Sequence, residues 1–151
     1  MPVVDIIHGP NLNLLGTRQP EIYGRDSLDN INGKIGALAS RLGLETRFLQ
    51  SNHEGDIIDR IHESGRTGDF IIINPGAYTH TSVAIRDALA AVTVPAVEVH
   101  LSNPEAREDF RRKSLIAEVV AGKVAGFGYD GYLMALRYAA KKLLKNNEAD
   151  I

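Results

Sequence analysis

The sequence contains no cysteine among its 151 residues. This excludes disulfide bonds and any mechanism that uses a thiolate as nucleophile or metal ligand. Long apolar runs are also missing, because charged or polar residues interrupt every window before it could span a bilayer. A formal net charge of −2 and a pI near 6.2 give no electrostatic reason to bind nucleic acid or an anionic membrane. We therefore expect a small-molecule partner, with no nucleic acid and no membrane.

The amino-acid composition is typical of one globular domain. The chain is 44% hydrophobic and 24% charged, which is enough apolar material for a sizeable core. No repeat, low-complexity linker or shift in composition divides it, so we expect a single domain over residues 1–151. The N-terminus resembles a strand and has no basic segment followed by a signal-peptide apolar core, so we expect a cytoplasmic location.

Strand-like and helix-like segments alternate along the chain. The run Phe70–Ile73 is continuously apolar, which is typical of a central parallel strand that is covered on both faces. The other predicted strands cover 3–7, 45–50, 95–99 and part of 119–127. The first predicted helix begins at Ser27 and ends before Gly43. The other predicted helices cover 56–63, which the breakers Gly65 and Gly68 follow, then 82–92, 105–112 and a stripe from Tyr132 to Leu143. This order predicts an α/β fold, a flavodoxin-like, doubly wound, five-stranded parallel sheet with helices on both faces.

A long segment without helical or strand period, residues 8–24, follows the first strand. Loops of this length inside compact domains are uncommon and are usually binding loops or active-site lids. Gly16 and Gly24 bracket Arg18 and Tyr23, and they supply permissive backbone for a flap that closes over a ligand.

Polar residues also follow the predicted strands. Asn11 comes after strand one, Asn74 after strand three and His100 after strand four. Because ligands bind beyond the carboxyl ends of the strands in such sheets, these residues should converge on one crevice.

Five segments resemble one known family. They are residues 8–24 (His-Gly-Pro-Asn-Leu-Asn-Leu-Leu-Gly-Thr-Arg, then Glu-Ile-Tyr-Gly), 74–82, 98–103, 107–111 and 128–137. Together they resemble type II 3-dehydroquinate dehydratase (3-dehydroquinase), the cofactor-free enzyme of the shikimate pathway. The resemblance implies reversible elimination of water from 3-dehydroquinate to give 3-dehydroshikimate through an enolate, without a metal or other cofactor.

The resemblance implies Tyr23 as the catalytic base and His100 as the acid. A phenol titrates near 10, so a tyrosine that acts as base near neutral pH needs a neighbouring cation that stabilises its anion. Arg18 shares the loop and is the expected cation, although Arg25 is an alternative. Glu98, two residues before His100 on the same face of its strand, is placed to hold the imidazole ring.

The remaining roles come only from the resemblance. It implies that Asn11 positions a water molecule, that Asn74 and His80 bind substrate, and that Arg111 clamps a carboxylate with the help of Leu101 and Ser102. It also implies a homododecamer, a tetramer of trimers, in which Asp87 reaches the site of a neighbouring subunit. His8 is expected to shape the loop.

One alternative from another class stays open. A flavodoxin-like fold is compatible with a non-catalytic binding or signalling module, because a fold does not fix a function. Dehydration through a lysine Schiff base is disfavoured, because none of the six lysines follows a strand into the crevice: Lys34, Lys113, Lys123, Lys141, Lys142 and Lys145.

Overall fold

The computed structural model describes residues 1–17 and 19–144, so the predicted site residue Arg18 lies outside the described part of the chain. Five parallel strands form one sheet in the order β2-β1-β3-β4-β5. This is the flavodoxin-like order, and it confirms the predicted fold class. The strands are β1 (Val3–His8), β2 (Glu45–Gln50), β3 (Phe70–Asn74), β4 (Ala96–His100) and β5 (Gly122–Ala125).

Helices cover both faces of the sheet. The α-helices are α1 (Pro20–Tyr23), α2 (Leu28–Leu42), α3 (Glu54–Thr67), α4 (Val83–Ala91) and α5 (Asp130–Leu143). Helices α2 and α5 pack through residues such as Ile35 and Leu136 on one face, where Ile72 points. Helices α3 and α4 pack on the other face, where Ile71 and Ile73 point. The alternation along β3 explains its continuous apolar run, since each of its faces meets a helix layer.

The predicted ends of two helices are confirmed. The Ser27 hydroxyl accepts a hydrogen bond from the Asn30 amide at 3.1 Å, and Ser82 caps α4 by accepting from the Ile85 amide at 2.9 Å. Gly43 ends α2 with a φ of 80°.

Gly65 was predicted to break helix α3, and that prediction is wrong. It lies inside the helix, which continues to Thr67. A Cβ at position 65 would come within 2.7 Å of the Val92 Cγ1, so glycine is present because the helix packs closely against the end of α4.

The predicted helix over 105–112 is also wrong. Two 3₁₀ turns, Pro104–Ala106 and Asp109–Arg111, replace it. Arg107 between them is extended, with φ −114° and ψ −155°, which no helix can contain. The loop 8–24 likewise contains a 3₁₀ turn, Leu12–Leu14, and the four-residue helix α1.

A buried ion pair joins β1 and β2. Asp5 is completely buried, and Arg47 donates to both of its carboxylate oxygens, at 2.9 and 2.7 Å. The Arg60 Nη1 lies 3.7 Å from the same carboxylate. This hydrogen bonding to Asp5 raises the pKa of Arg47 above its usual range.

We expect Asp5→Ala to lower the free energy of unfolding by about 3 kcal/mol, because it leaves two partly buried guanidinium groups without their anion. Urea unfolding measures the change. Asp109→Ala is the control, because Asp109 is 92% exposed in its pair with Arg112 and should matter by less than about 1 kcal/mol. Equal effects of the two substitutions would contradict a structural role for the Asp5 pair.

Candidate active site

A crevice opens at the carboxyl ends of β1, β3 and β4. The predicted convergence is confirmed for Asn74 and His100, whereas after β1 the neighbours of Asn11 line the crevice and Asn11 itself does not. The crevice is lined by Pro10, Leu12, Tyr23, Asn74, Gly76, His80, His100, Leu101, Ser102, Pro104, Arg107 and Arg111.

The segments after β1 and β3 form one wall because their backbones touch. The Gly9 amide donates to the Asn74 carbonyl at 2.7 Å. A Cβ on Gly9 would lie 2.3 Å from the Pro75 oxygen, and one on Gly76 would lie 3.1 Å from the Pro10 oxygen. Any side chain at Gly9 would therefore separate the two segments.

Tyr23 ends helix α1, is half-buried and lines the crevice. Gly16 and Gly24, which flank this part of the loop, both have a φ of 91° that favours glycine. The guanidinium carbon of Arg107 lies 5.2 Å from the centre of the Tyr23 ring. Arg107 Nη1 also donates to the Ser102 hydroxyl at 3.3 Å, so the arginine is held between the two residues.

Arg107 is a site residue for which the sequence predicted no role. It begins the fourth of the family-like segments, and this is the signal that could have identified it. Its position depends on the extended backbone between the two 3₁₀ turns, which the periodicity of 105–112 did not indicate.

His100 ends β4 and is almost fully buried. Its Nε2 contacts the carboxylate of Glu98, as the sequence predicted. Glu98 is completely buried, and the Ser114 hydroxyl, which lies 2.9 and 3.0 Å from its two oxygens, donates to it. The carboxylate therefore fixes the imidazole orientation, which leaves Nδ1 as the ring nitrogen available to a ligand. No pattern in the sequence indicated a role for Ser114.

Asn74 and His80 line the crevice with defined orientations. Asn74 accepts from the Gly76 amide at 3.1 Å through Oδ1 and donates through Nδ2 to the Tyr132 hydroxyl at 3.2 Å. His80 Nδ1 donates to the Lys113 carbonyl at 2.7 Å, since a carbonyl can only accept. Its Nε2 remains for a ligand.

Arg111 lines the crevice beside Leu101 and Ser102. Its Nε donates to Glu108 at 2.7 Å, and this hydrogen bond lowers the pKa of Glu108 below its usual range. The guanidinium carbon lies 4.8 Å from the centre of the Phe110 ring, so the cation is held by two contacts at the rim.

Two predicted site residues in the described part of the chain do not line this crevice. Asn11 is exposed, has a φ of 69° and uses its backbone amide to donate to Asn52 Oδ1 at 2.9 Å, although its neighbours Pro10 and Leu12 are lining residues. Asp87 is 67% exposed on α4, 3.7 Å from Arg86.

His8 was expected to shape the loop, but it is the last residue of β1 and completely buried. Its Nδ1 lies 2.8 Å from the Tyr132 hydroxyl, and its Nε2 lies 2.8 Å from Asn32 Oδ1. Burial lowers the pKa of His8 from 6.5 to about 4, against an opposing contribution from the Asn32 hydrogen bond.

This shift predicts a pH dependence of stability. Because folding lowers the pKa of His8, its neutral form stabilises the protein fully above pH 6.5, and the contribution is lost as the pH falls towards 4. Between pH 7 and pH 5, urea unfolding should show a loss roughly 2 kcal/mol larger in the unmodified protein than in His8→Gln. His62→Gln, at an exposed histidine, should leave the pH dependence unchanged. Parallel pH profiles for the unmodified protein and His8→Gln would contradict the assignment.

No group of three or more His, Cys, Asp or Glu within residues 1–17 and 19–144 is arranged to hold a metal ion. In the same part of the chain, no helix has the length and apolar character needed to cross a membrane.

Comparison with known proteins gives a consistent result. Residues 2–140 match the family model described as Dehydroquinase class II. The chain is 58% identical over 133 residues to a 3-dehydroquinate dehydratase of Halothermothrix orenii, covering 88% of this chain and 90% of that protein. It is 51% identical over 148 residues to Catabolic 3-dehydroquinase 2 of Aspergillus fumigatus, covering 98% and 99%.

Comparison of the fold with solved structures agrees with the sequence comparison. The crystal structure of the type II dehydroquinase from Butyrivibrio crossotus superposes with a TM-score of 0.90 at 44% identity, covering 91% of this chain and 97% of that one. The sequence match over residues 2–140 and this superposition together show that the chain belongs to the class II dehydroquinase family.

Proposed function

We propose that this class II dehydroquinase removes water from 3-dehydroquinate to give 3-dehydroshikimate, with Tyr23 as the base and His100 as the acid. The observation that carries the proposal is that both side chains line one crevice at the carboxyl ends of the strands. Each has a cation or an anion beside it that suits its task, Arg107 for Tyr23 and Glu98 for His100.

In the first step, the Tyr23 phenolate takes the C2 proton next to the C3 ketone, and the electron pair of that bond forms an enolate. A phenolate needs positive charge nearby to exist near neutral pH. The Arg107 guanidinium at 5.2 Å from the ring supports this role, and Arg18, which lies outside the described residues, is proposed as the second cation. Asn11 is proposed to orient a water molecule that hydrogen-bonds to the enolate oxygen.

In the second step, the enolate re-forms the ketone, and the electron pair moves into a C1–C2 double bond as the C1 hydroxyl leaves. His100 donates a proton to this hydroxyl, so water departs and the atoms balance. Its Nε2 is held by the buried Glu98 carboxylate, which fixes the orientation of the ring. The proton that Tyr23 removed is returned to solvent, and the His100 proton is replaced from solvent.

The substrate's own groups suit the other lining residues. Arg111, with Leu101 and Ser102, is proposed to bind the carboxylate, since a guanidinium and backbone amides donate well to carboxylate oxygens. Asn74 and His80 are proposed to bind ring hydroxyl groups. His80 is oriented by Lys113 to offer Nε2.

We also propose a homododecamer, a tetramer of trimers, in which Asp87 completes the crevice of a neighbouring subunit. Asp87 is 67% exposed and does not line its own crevice, so a role in catalysis requires a second chain. Light scattering tests the assembly, and Asp87→Asn should raise KM if the contact exists. A fully active monomer would contradict both the assembly and the contact.

The function itself is tested by mixing purified protein with 3-dehydroquinate and following the ultraviolet absorbance of the conjugated enone. We expect turnover that a chelator does not inhibit. Borohydride added with substrate should not inactivate the protein, because the described lysines do not line the crevice and no imine forms. No absorbance change at high protein concentration would overturn the proposed function, and borohydride trapping would assign the reaction to a lysine.

A further inference from the structure

A chain of polar side chains lies directly beneath the crevice, between β1, β3, α2 and α5. It runs from Asn32 through His8 and Tyr132 to Asn74, with successive contacts of 2.8, 2.8 and 3.2 Å. His8 and Tyr132 are completely buried, and Asn74 is 3% exposed. His8 and Asn74 are paired in the register of β1 and β3, so the network is fixed to the centre of the sheet. The proposed reaction uses only Asn74 from this network.

The direction of every hydrogen bond follows from one backbone group. The Gly76 amide can only donate, so the Asn74 atom that faces it at 3.1 Å is the amide oxygen. The Asn74 nitrogen therefore faces Tyr132 and donates to its hydroxyl oxygen. The Tyr132 proton then has one acceptor left in the network, which is His8 Nδ1. His8 must carry its proton on Nε2 and donate it to Asn32 Oδ1.

This direction determines what Asn74 offers to a ligand. Its oxygen is turned to the Gly76 amide, and one N–H is used on Tyr132. The second N–H has no partner among the described residues, and Asn74 lines the crevice. An asparagine that is not held in this way can rotate its amide by half a turn and present its oxygen instead.

We propose that His8 and Tyr132 are positioning residues that lock Asn74 as a hydrogen-bond donor toward an acceptor oxygen of the substrate. The inference deepens the proposed function and rests on it, because the oxygen belongs to the substrate proposed above.

The ionisation of the two buried groups agrees with this geometry. Burial raises the pKa of Tyr132 further above its usual range, so the phenol keeps the proton that it donates to His8. Burial lowers the pKa of His8 to about 4, so its Nδ1 is an acceptor at neutral pH. The two rings also meet edge to face, with centroids 5.2 Å apart, which limits their rotation.

The kinetic test is a substitution that keeps the ring and removes only the hydroxyl. Tyr132→Phe should raise KM roughly three- to tenfold, the value of one hydrogen bond, while kcat changes by less than about twofold. His8→Phe should have a similar effect. His8→Gln, which offers both an acceptor and a donor, should restore a KM close to that of the unmodified protein. Tyr138→Phe, at an exposed tyrosine of the same helix, is the matched control.

A double substitution distinguishes positioning of the Asn74 amide from a general loss of packing around the crevice. In the Asn74→Ala background, Tyr132→Phe should have no further effect on KM, because its influence passes through the Asn74 amide. A second, equal rise in KM would overturn the proposal. So would an unchanged KM in Tyr132→Phe.

Nitrogen NMR of the unliganded protein provides a readout that does not depend on turnover. At neutral pH, His8 should be neutral with its proton on Nε2, and one Asn74 side-chain N–H should be protected from exchange with solvent. Tyr132→Phe should remove that protection. A His8 protonated on Nδ1 would overturn the inference even in an active enzyme, whereas the predicted NMR result in a protein without dehydratase activity would contradict the proposed function alone.

Discussion

Tyr23→Phe is expected to lower kcat by at least roughly 100-fold, because it removes the general base while the ring remains. KM should change little, since the phenyl group still fills its place beside Arg107 at the crevice. Steady-state rates of enone formation measure both constants. Tyr138→Phe, at an exposed tyrosine on α5, should leave them unchanged. Turnover close to that of the unmodified enzyme in Tyr23→Phe would assign the base to another residue.

His100→Asn is expected to lower kcat for dehydration by about 10²- to 10⁴-fold, because no acid then protonates the departing hydroxyl. The early step should survive, since Tyr23 and the cations beside it are intact. In heavy water, His100→Asn should therefore still exchange the C2 proton of 3-dehydroquinate faster than a sample without enzyme, while the enone forms slowly.

The same experiment distinguishes the two proposed roles. Tyr23→Phe should lose both the exchange and the dehydration, whereas His100→Asn should lose mainly the dehydration. His62→Asn, at an exposed histidine on α3, serves as the control. If His100→Asn abolished the exchange as well, His100 would be acting before the enolate forms, and its assignment as the acid of the second step would be wrong.

Local signals in the sequence were sufficient for most of the fold. Ser27 and Gly43 sit at the ends of α2 because side-chain capping and a positive φ are local requirements. The continuous run Phe70–Ile73 correctly indicated a strand buried on both faces. Once strands and helices alternate, the handedness of their connections leaves few topologies, and the crevice at the strand ends follows.

Contacts between segments that are distant in the sequence could not be predicted. The neighbouring residues alone predict that Gly65 breaks a helix. Glycine is required at this position because the Val92 side chain, 27 positions away in the sequence, would lie 2.7 Å from a Cβ at position 65. Ser114 binds Glu98 from a segment without regular periodicity. The residues that flank Gly65 and Ser114 in the sequence do not indicate either contact.

His8 illustrates the same limit at the site. It follows an apolar run and precedes Gly-Pro-Asn, a pattern that predicts the start of a loop. The strand in fact extends by one residue, and its pairing with Asn74 places the imidazole in the core against Tyr132. The contact of Arg107 with Tyr23 could likewise not be predicted, because it depends on an extended residue between two 3₁₀ turns.

The central claim is that a phenolate at Tyr23, stabilised by arginine, carries out the first chemical step. The measurement that tests it most directly is kcat for Tyr23→Phe, Arg18→Ala and the double variant. If Arg18 acts by stabilising the phenolate, it has little left to stabilise once the hydroxyl is gone, so the double variant should be nearly as active as Tyr23→Phe alone. Losses in kcat that multiply fully in the double variant would show that Arg18 and Tyr23 act independently, and would contradict the claim.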